Sequence, residues 1–202
     1  MLTQGAGKQI IMNMEENMNQ MPPKAPQAPV AENNPQNVFK IILYVLLGLS
    51  ILGGFLNFIG SFSYFGGWIS DPLLGIGQLF SSLAVMAISI ILIIRMSKNE
   101  KFGFLAVAFF ALAFLLNFIG IILIGGLSFG ALGLIINLGG LAIAVLACIP
   151  MNKIGDVNSY KDLLKEAQPI DYILLGAYAV FTLLTLIACL KWAKLARGLG
   201  AL

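Results

Sequence analysis

Histidine is absent from the 202 residues, and there are only two cysteines, Cys148 and Cys189. Without histidine the chain has no imidazole base, no His metal ligand and no haem held by a proximal His. Each cysteine lies inside an apolar run, so the pair reads as small packing residues rather than a zinc site or a disulfide. No metal or cofactor is expected. Charge is almost as scarce: Lys and Arg number 12 and Asp and Glu 9, or 10% of residues, where a soluble domain has roughly 25%.

The position of the missing charge is more informative than the total. From Ile41 to Ile94 the only Asp, Glu, Lys or Arg is Asp71, and from Phe102 to Ile149 there is none. A soluble protein with such stretches could not cover its surface with polar groups. An integral membrane protein needs none there, so a lipid bilayer is the first partner expected. The net charge of +3 comes from basic residues clustered beside apolar runs, without a basic groove interleaved with aromatics. Nucleic acid is therefore not an expected partner.

A helix needs about 20 apolar residues to cross the hydrocarbon core. Five runs qualify: Phe39–Ile59, Pro72–Ile94, Phe102–Ile124, Phe129–Ile149 and Ile170–Leu190. The expected fold class is all-α, a polytopic helical membrane protein of two similar transmembrane hairpins plus a fifth hydrophobic helix. The second run starts cleanly, with Ser70 or Asp71 as cap and Pro72 at the first helical position. Residues 1–37 are rich in Pro, Asn and Gln and predict a disordered cytoplasmic tail, with PxxP spacings at Pro23, Pro26 and Pro29. No signal-peptide pattern precedes the first run, which is expected to serve as an uncleaved insertion signal. Met12 and Met14 are candidate translation starts.

The chain repeats itself. Leu56-Asn57-Phe58-Ile59-Gly60 recurs as Leu116-Asn117-Phe118-Ile119-Gly120, each copy ending a span before a Gly-rich turn. Gly75 and Ser81-Ser82-Leu83-Ala84 parallel Gly133 and Gly139-Gly140-Leu141-Ala142. The four-helix region 38–150 thus divides into hairpin repeats 39–95 and 102–150, expected to be parallel and related by an axis near the membrane normal. Residues 151–169 form a connector. Within it Val157, Tyr160, Leu163, Leu164 and Ala167 share one helical face, which predicts a short amphipathic helix at the interface. Residues 170–202 hold the fifth helix and a short basic tail.

Short-loop lysines and arginines set orientation. Lys40 precedes the first span, Arg95, Lys98 and Lys101 fill the second loop, and Lys153, Lys161 and Lys165 fill the fourth. The first and third loops carry none. The N-terminus and the even loops are therefore expected in the cytoplasm, with Tyr64, Phe65 and Trp68 at the outer interface and Tyr44 and Tyr172 near the inner one. The composition resembles that of small bacterial multi-pass proteins, so a bacterial inner membrane is the expected location. Five spans put Lys191, Lys194 and Arg197 outside, against the rule. Either those charges are tolerated, or the last run does not cross, or another run is re-entrant, Ser61–Gly77 being the obvious place.

Candidate intramembrane polar positions are Asn57, Asn117, Asn137 and Gln78. They line a solute path, or they bond neighbouring helices at about 1 kcal/mol each. Small-residue spacings at Gly126 and Gly130, and at Gly140, Ala144 and Cys148, fit close helix packing, within the chain or in a homo-oligomer. No span carries a nucleophile beside a base, Asp71 before Pro72 reads as a helix cap, and the cytoplasmic carboxylates Asp156, Asp162, Glu166 and Asp171, interleaved with lysines, read as solvated. The expectation is a non-enzymatic structural, accessory or regulatory subunit of a membrane complex. The alternative is a small channel or facilitator for a neutral solute or ion.

Overall fold

A computed structural model describes residues 35–66, 71–124 and 127–199, without the side chains of residues 127–130 and 196–199. Expectations about the tail up to residue 34, Trp68, Ser70 and the Gly126–Gly130 spacing lie outside the described residues.

Long runs of Leu, Ile, Phe, Ala and Gly become helices because a chain in lipid must satisfy its backbone groups internally. Five long helices result: α1 (Pro35–Ser61), α3 (Pro72–Ser97), α4 (Gly103–Ile124), α5 (Leu127–Cys148) and α7 (Pro169–Leu199). A one-turn helix, α2 (Ser63–Gly66), follows α1, and α6 (Val157–Lys165) follows a 3-10 turn at Met151–Lys153. No strand occurs among the described residues. Pro35, Pro72 and Pro169 open their helices, where the missing N–H is no loss. Asp71 caps α3 as expected: its Oδ1 accepts from the amides of Leu73 (3.0 Å) and Leu74 (3.3 Å). Five helices are long and apolar enough to cross a membrane.

The five pack as a ring in the order α1, α3, α7, α4, α5 and back to α1. α3 and α4, neighbours in sequence, touch little because α7 lies between them. One end of the ring carries α2 and the other α6. Glycines set the close approaches. A methyl at Gly140 would run into the Phe110 ring, one at Gly77 would stand 2.6 Å from Thr185 Oγ1, and one at Gly54 2.8 Å from Met86. The small faces of α3 and α5 are thus used inside the chain. Towards the α6 end the interior is a dry plug built on Leu43, Leu47, Ile88, Leu92 and Leu105, all fully buried.

Two expectations are corrected. Arg95 is not a loop residue: α3 continues through it to Ser97, and Arg95 is only 5% exposed. Asp171 is not solvated but fully buried in the first turn of α7. The two meet, with Arg95 Nη2 2.7 Å from Asp171 Oδ1 and 2.9 Å from Gln168 Oε1. Asp171 Oδ2 in turn accepts from the Gln168 amide, the reciprocal bond of a helix-start box. In the Gly-rich stretch Ser61–Gly77, the described residues are the end of α1, α2 and the start of α3, and both flanking helices are long and apolar enough to cross a membrane. The fifth helix is longer than its apolar run. Its 31 residues reach about 46 Å at 1.5 Å per residue.

α6 is amphipathic as expected, with Asp156 as its N-cap. Its apolar face divides, however. Leu163 seats on Gly103, where a methyl would run into Leu163 Cδ2, while Val157, Tyr160 and Leu164 stay exposed.

Candidate functional site

The ring encloses a cavity of about 680 Å³ to which all five long helices contribute. That volume lies in the range of roughly 300–1,000 Å³ typical of small-molecule sites. On α1 the lining runs from Leu46 to Asn57, on α3 from Leu74 to Val85, and on α7 from Tyr178 to Cys189. Each stretch rises by about 16 Å, so the cavity reaches roughly halfway through a hydrocarbon core of about 30 Å. Towards the α2 end the lining includes Asn57, which is exposed, and Tyr64 of α2. Phe109, Phe110 and Tyr178 are buried in its wall, and the leucine plug closes it towards the α6 end.

The lining mixes polar groups into a largely apolar surface and is uncharged. Among the described residues it holds no Asp, Glu, Lys or Arg. Its hydroxyls lie largely on α1, α3 and α7. Ser50 and Thr185 donate to their own helix at Leu46 O and Phe181 O, and Ser82 to Gln78 O, the usual arrangement for a hydroxyl inside a helix. Ser81 Oγ and Thr182 Oγ1 lie 2.8 Å apart and bond α3 to α7. Phe109, Phe110 and Ala113 of α4 form a facing apolar wall. One side offers hydrogen bonds and the other contact area.

Asn57, Gln78 and Asn137 converge on this cavity. No hydrogen bond joins any of their side-chain amides to the described residues. All three thus belong to the lining without a hydrogen bond between helices among the described residues. Asn117 is different: it packs against Gly133 of α5, where a methyl would stand 3.4 Å from Asn117 Nδ2, and it is not part of the lining. The two asparagines of the repeated motif thus sit in unlike surroundings.

Asp71 stands near the rim. Its Oδ2 accepts from Trp192 Nε1 at 2.7 Å. That bond, with the amides of Leu74 and Leu73 and the nearby Lys191, holds the carboxyl below its ordinary value against the opposing effect of burial. Together with Arg95–Asp171 it pins antiparallel α3 and α7 at both ends, with Phe80 stacked on Phe181 at 4.8 Å between them.

Ser50, Tyr178, Thr182 and Thr185 were not singled out from sequence, and Tyr64 only as an interface aromatic. Their signal is a helical stripe. Tyr178, Thr182, Thr185 and Cys189 follow at steps of four, three and four, as do Leu46, Ser50, Gly53 and Asn57, so each set shares a face. Both cysteines are free.

No protein-family model matches the chain, and no curated protein or solved structure is significantly similar to it.

Proposed function

We propose that this multi-pass membrane protein is a non-enzymatic facilitator that takes up a neutral, hydrogen-bonding solute from the α2 end. The observation that carries this reading is the uncharged cavity lined by three amide side chains from three helices. An ion would meet no counter-charge there, and desolvating one is expensive. A polyol or amide-sized solute can satisfy Asn57, Gln78 and Asn137 and lie against Phe109 and Phe110. The plug around Leu43, Leu92 and Leu105 closes the far side, so passage takes a second conformation in which it parts. No acid–base pair lines the cavity to support catalysis at depth.

The same reading takes residues 39–95 and 102–150 as copies of one hairpin, with α7 inserted into the seam between α3 and α4. It puts the α6 end in the cytoplasm of a bacterial inner membrane. Lys40, Lys98, Lys101, Lys153, Lys161 and Lys165 support that side, and Arg95 no longer counts because Asp171 neutralises it. Solute flux into proteoliposomes tests the function. Glycerol or urea flux should fall when Asn57 and Gln78 are both changed to Leu and stay unchanged in Asn117→Leu. Equal flux in all three proteins would sink the proposal. The other reading, an accessory subunit of a membrane complex, expects a stoichiometric partner in mild detergent and no flux from the chain alone.

A further inference from the structure

At the α6 end a second cavity, of about 250 Å³, lies between the start of α1, the α3–α4 loop, the end of α5 and α6. It is lined by two lysines and two glutamates, Lys40, Lys101, Glu100 and Glu166. None of the four pairs with another. The ion pairs among the described residues are Arg95–Asp171 and the exposed Lys165–Asp162. Two cations and two anions around one space without a direct bridge suit a ligand that carries both signs. Glu166 is already placed: its Oε2 lies 3.0 Å from where a methyl on Gly103 would be, over the positive end of α4.

A second feature adjoins the first. An apolar groove of about 270 Å³ runs between α4 and α6, lined by Phe104, Val107, Ala108, Tyr160, Leu163 and Leu164. Leu163 belongs to both spaces. Seated on Gly103, it divides a charged pocket from a hydrocarbon-lined groove where the spanning helices end. That sequence of chemistries, at that depth, is the profile of a phospholipid.

We propose that this junction is a specific site for a phospholipid whose headgroup carries a phosphate and a primary ammonium. Lys40 and Lys101 take the phosphate, Glu100 and Glu166 take the ammonium, and one acyl chain lies along Phe104, Val107 and Leu164. A primary ammonium donates three hydrogen bonds to carboxylates, and a quaternary one donates none. The site therefore selects phosphatidylethanolamine over phosphatidylcholine. The proposal rests on the membrane location alone and is independent of the solute cavity.

The experiment reconstitutes the full chain in nanodiscs of equal parts dioleoyl phosphatidylethanolamine, phosphatidylcholine and phosphatidylglycerol. The protein is then extracted in mild detergent and the retained lipid quantified by mass spectrometry. Ethanolamine lipid should exceed choline lipid about tenfold, the worth of one charge-assisted bond. Glu100→Gln with Glu166→Gln should bring that ratio to about one, and Lys40→Gln with Lys101→Gln should lower retention of both lipids. A series of mono-, di- and trimethylated ethanolamine lipids repeats the test on the unaltered protein, and retention should fall with each methyl. A ratio near one in the unaltered protein, retention indifferent to methylation, or enrichment of the glycerol lipid instead would each overturn the proposal. Displacement by millimolar free phosphoethanolamine would overturn the commitment to a lipid.

Discussion

Arg95 and Asp171 meet at helix ends that favour them: the guanidinium is in the last turn of α3, the carboxylate in the first turn of α7, 2.7 Å apart. A cation at a helix C-terminus and an anion at an N-terminus are each stabilised by the peptide dipoles. The Gln168 side chain accepts one more guanidinium hydrogen. This junction fastens the one helix that α3 and α4 share.

Removing either partner strands a buried charge. Asp171→Asn and Arg95→Met should each lower stability by about 3–5 kcal/mol, read as a drop in the thermal midpoint in detergent. The double variant Arg95→Met with Asp171→Leu should lose less than either single one, because no unpaired charge remains. Additive losses would show that the two side chains do not act as a pair.

Adjacent glycines of α5 make a matched comparison. Gly140 lies under the Phe110 ring, whereas a methyl at Gly139 meets nothing within 4 Å. Gly140→Val should cost about 1–3 kcal/mol by overpacking, and Gly139→Val should be near neutral. Reversed sensitivities in the same thermal assay would mean that the other face of α5 carries the helix contact.

Acid should loosen the α2 end. The Trp192 indole holds Asp71 below its ordinary value. Its stabilising contribution is therefore present above the unfolded carboxylate range and fades as pH falls below about 4 through the folded value. The midpoint of the unaltered protein should drop over that window. Trp192→Phe removes the donor and should flatten the drop. Parallel acid limbs in the two proteins would exclude this bond as the cause.

The two thiols report opposite sides. Cys189 lines the cavity within the ring, towards the α2 end of α7, and Cys148 lines the pocket at the α6 end. In proteoliposomes of fixed orientation, a membrane-impermeant methanethiosulfonate should reach the thiol of Cys148→Ser from one side only, and that of Cys189→Ser from the other only. Labelling of both from the same side would contradict the crossing of α7.

The number and place of the long helices were legible because hydropathy is a local property. So were the cap at Asp71, the start at Pro72 and the amphipathic stretch at Val157. Of the four amides proposed from sequence, Asn57, Gln78 and Asn137 reach the cavity, and Asn117 does not. A motif match such as Leu56–Gly60 with Leu116–Gly120 reports sequence likeness, not surroundings. Asn117 faces Gly133 because α5 has a small residue at that height.

The sequence by itself determined that this chain belongs in a bilayer, since stretches of some fifty residues almost without charge have no other low-energy solvent. It determined the helices too, because lipid leaves the backbone no alternative partner. Only the tertiary structure decided which charges count as loops and which as core. Arg95 lies one residue past the apolar run, and no local pattern shows that Asp171, 76 positions on, will meet it. The insertion of α7 between α3 and α4 was equally out of reach, and it turns four helices into a ring with a cavity. Helix order around a ring depends on contacts distant in sequence, where small residues, hydroxyls and one ion pair outweigh the nearly uniform hydrophobicity of the spans.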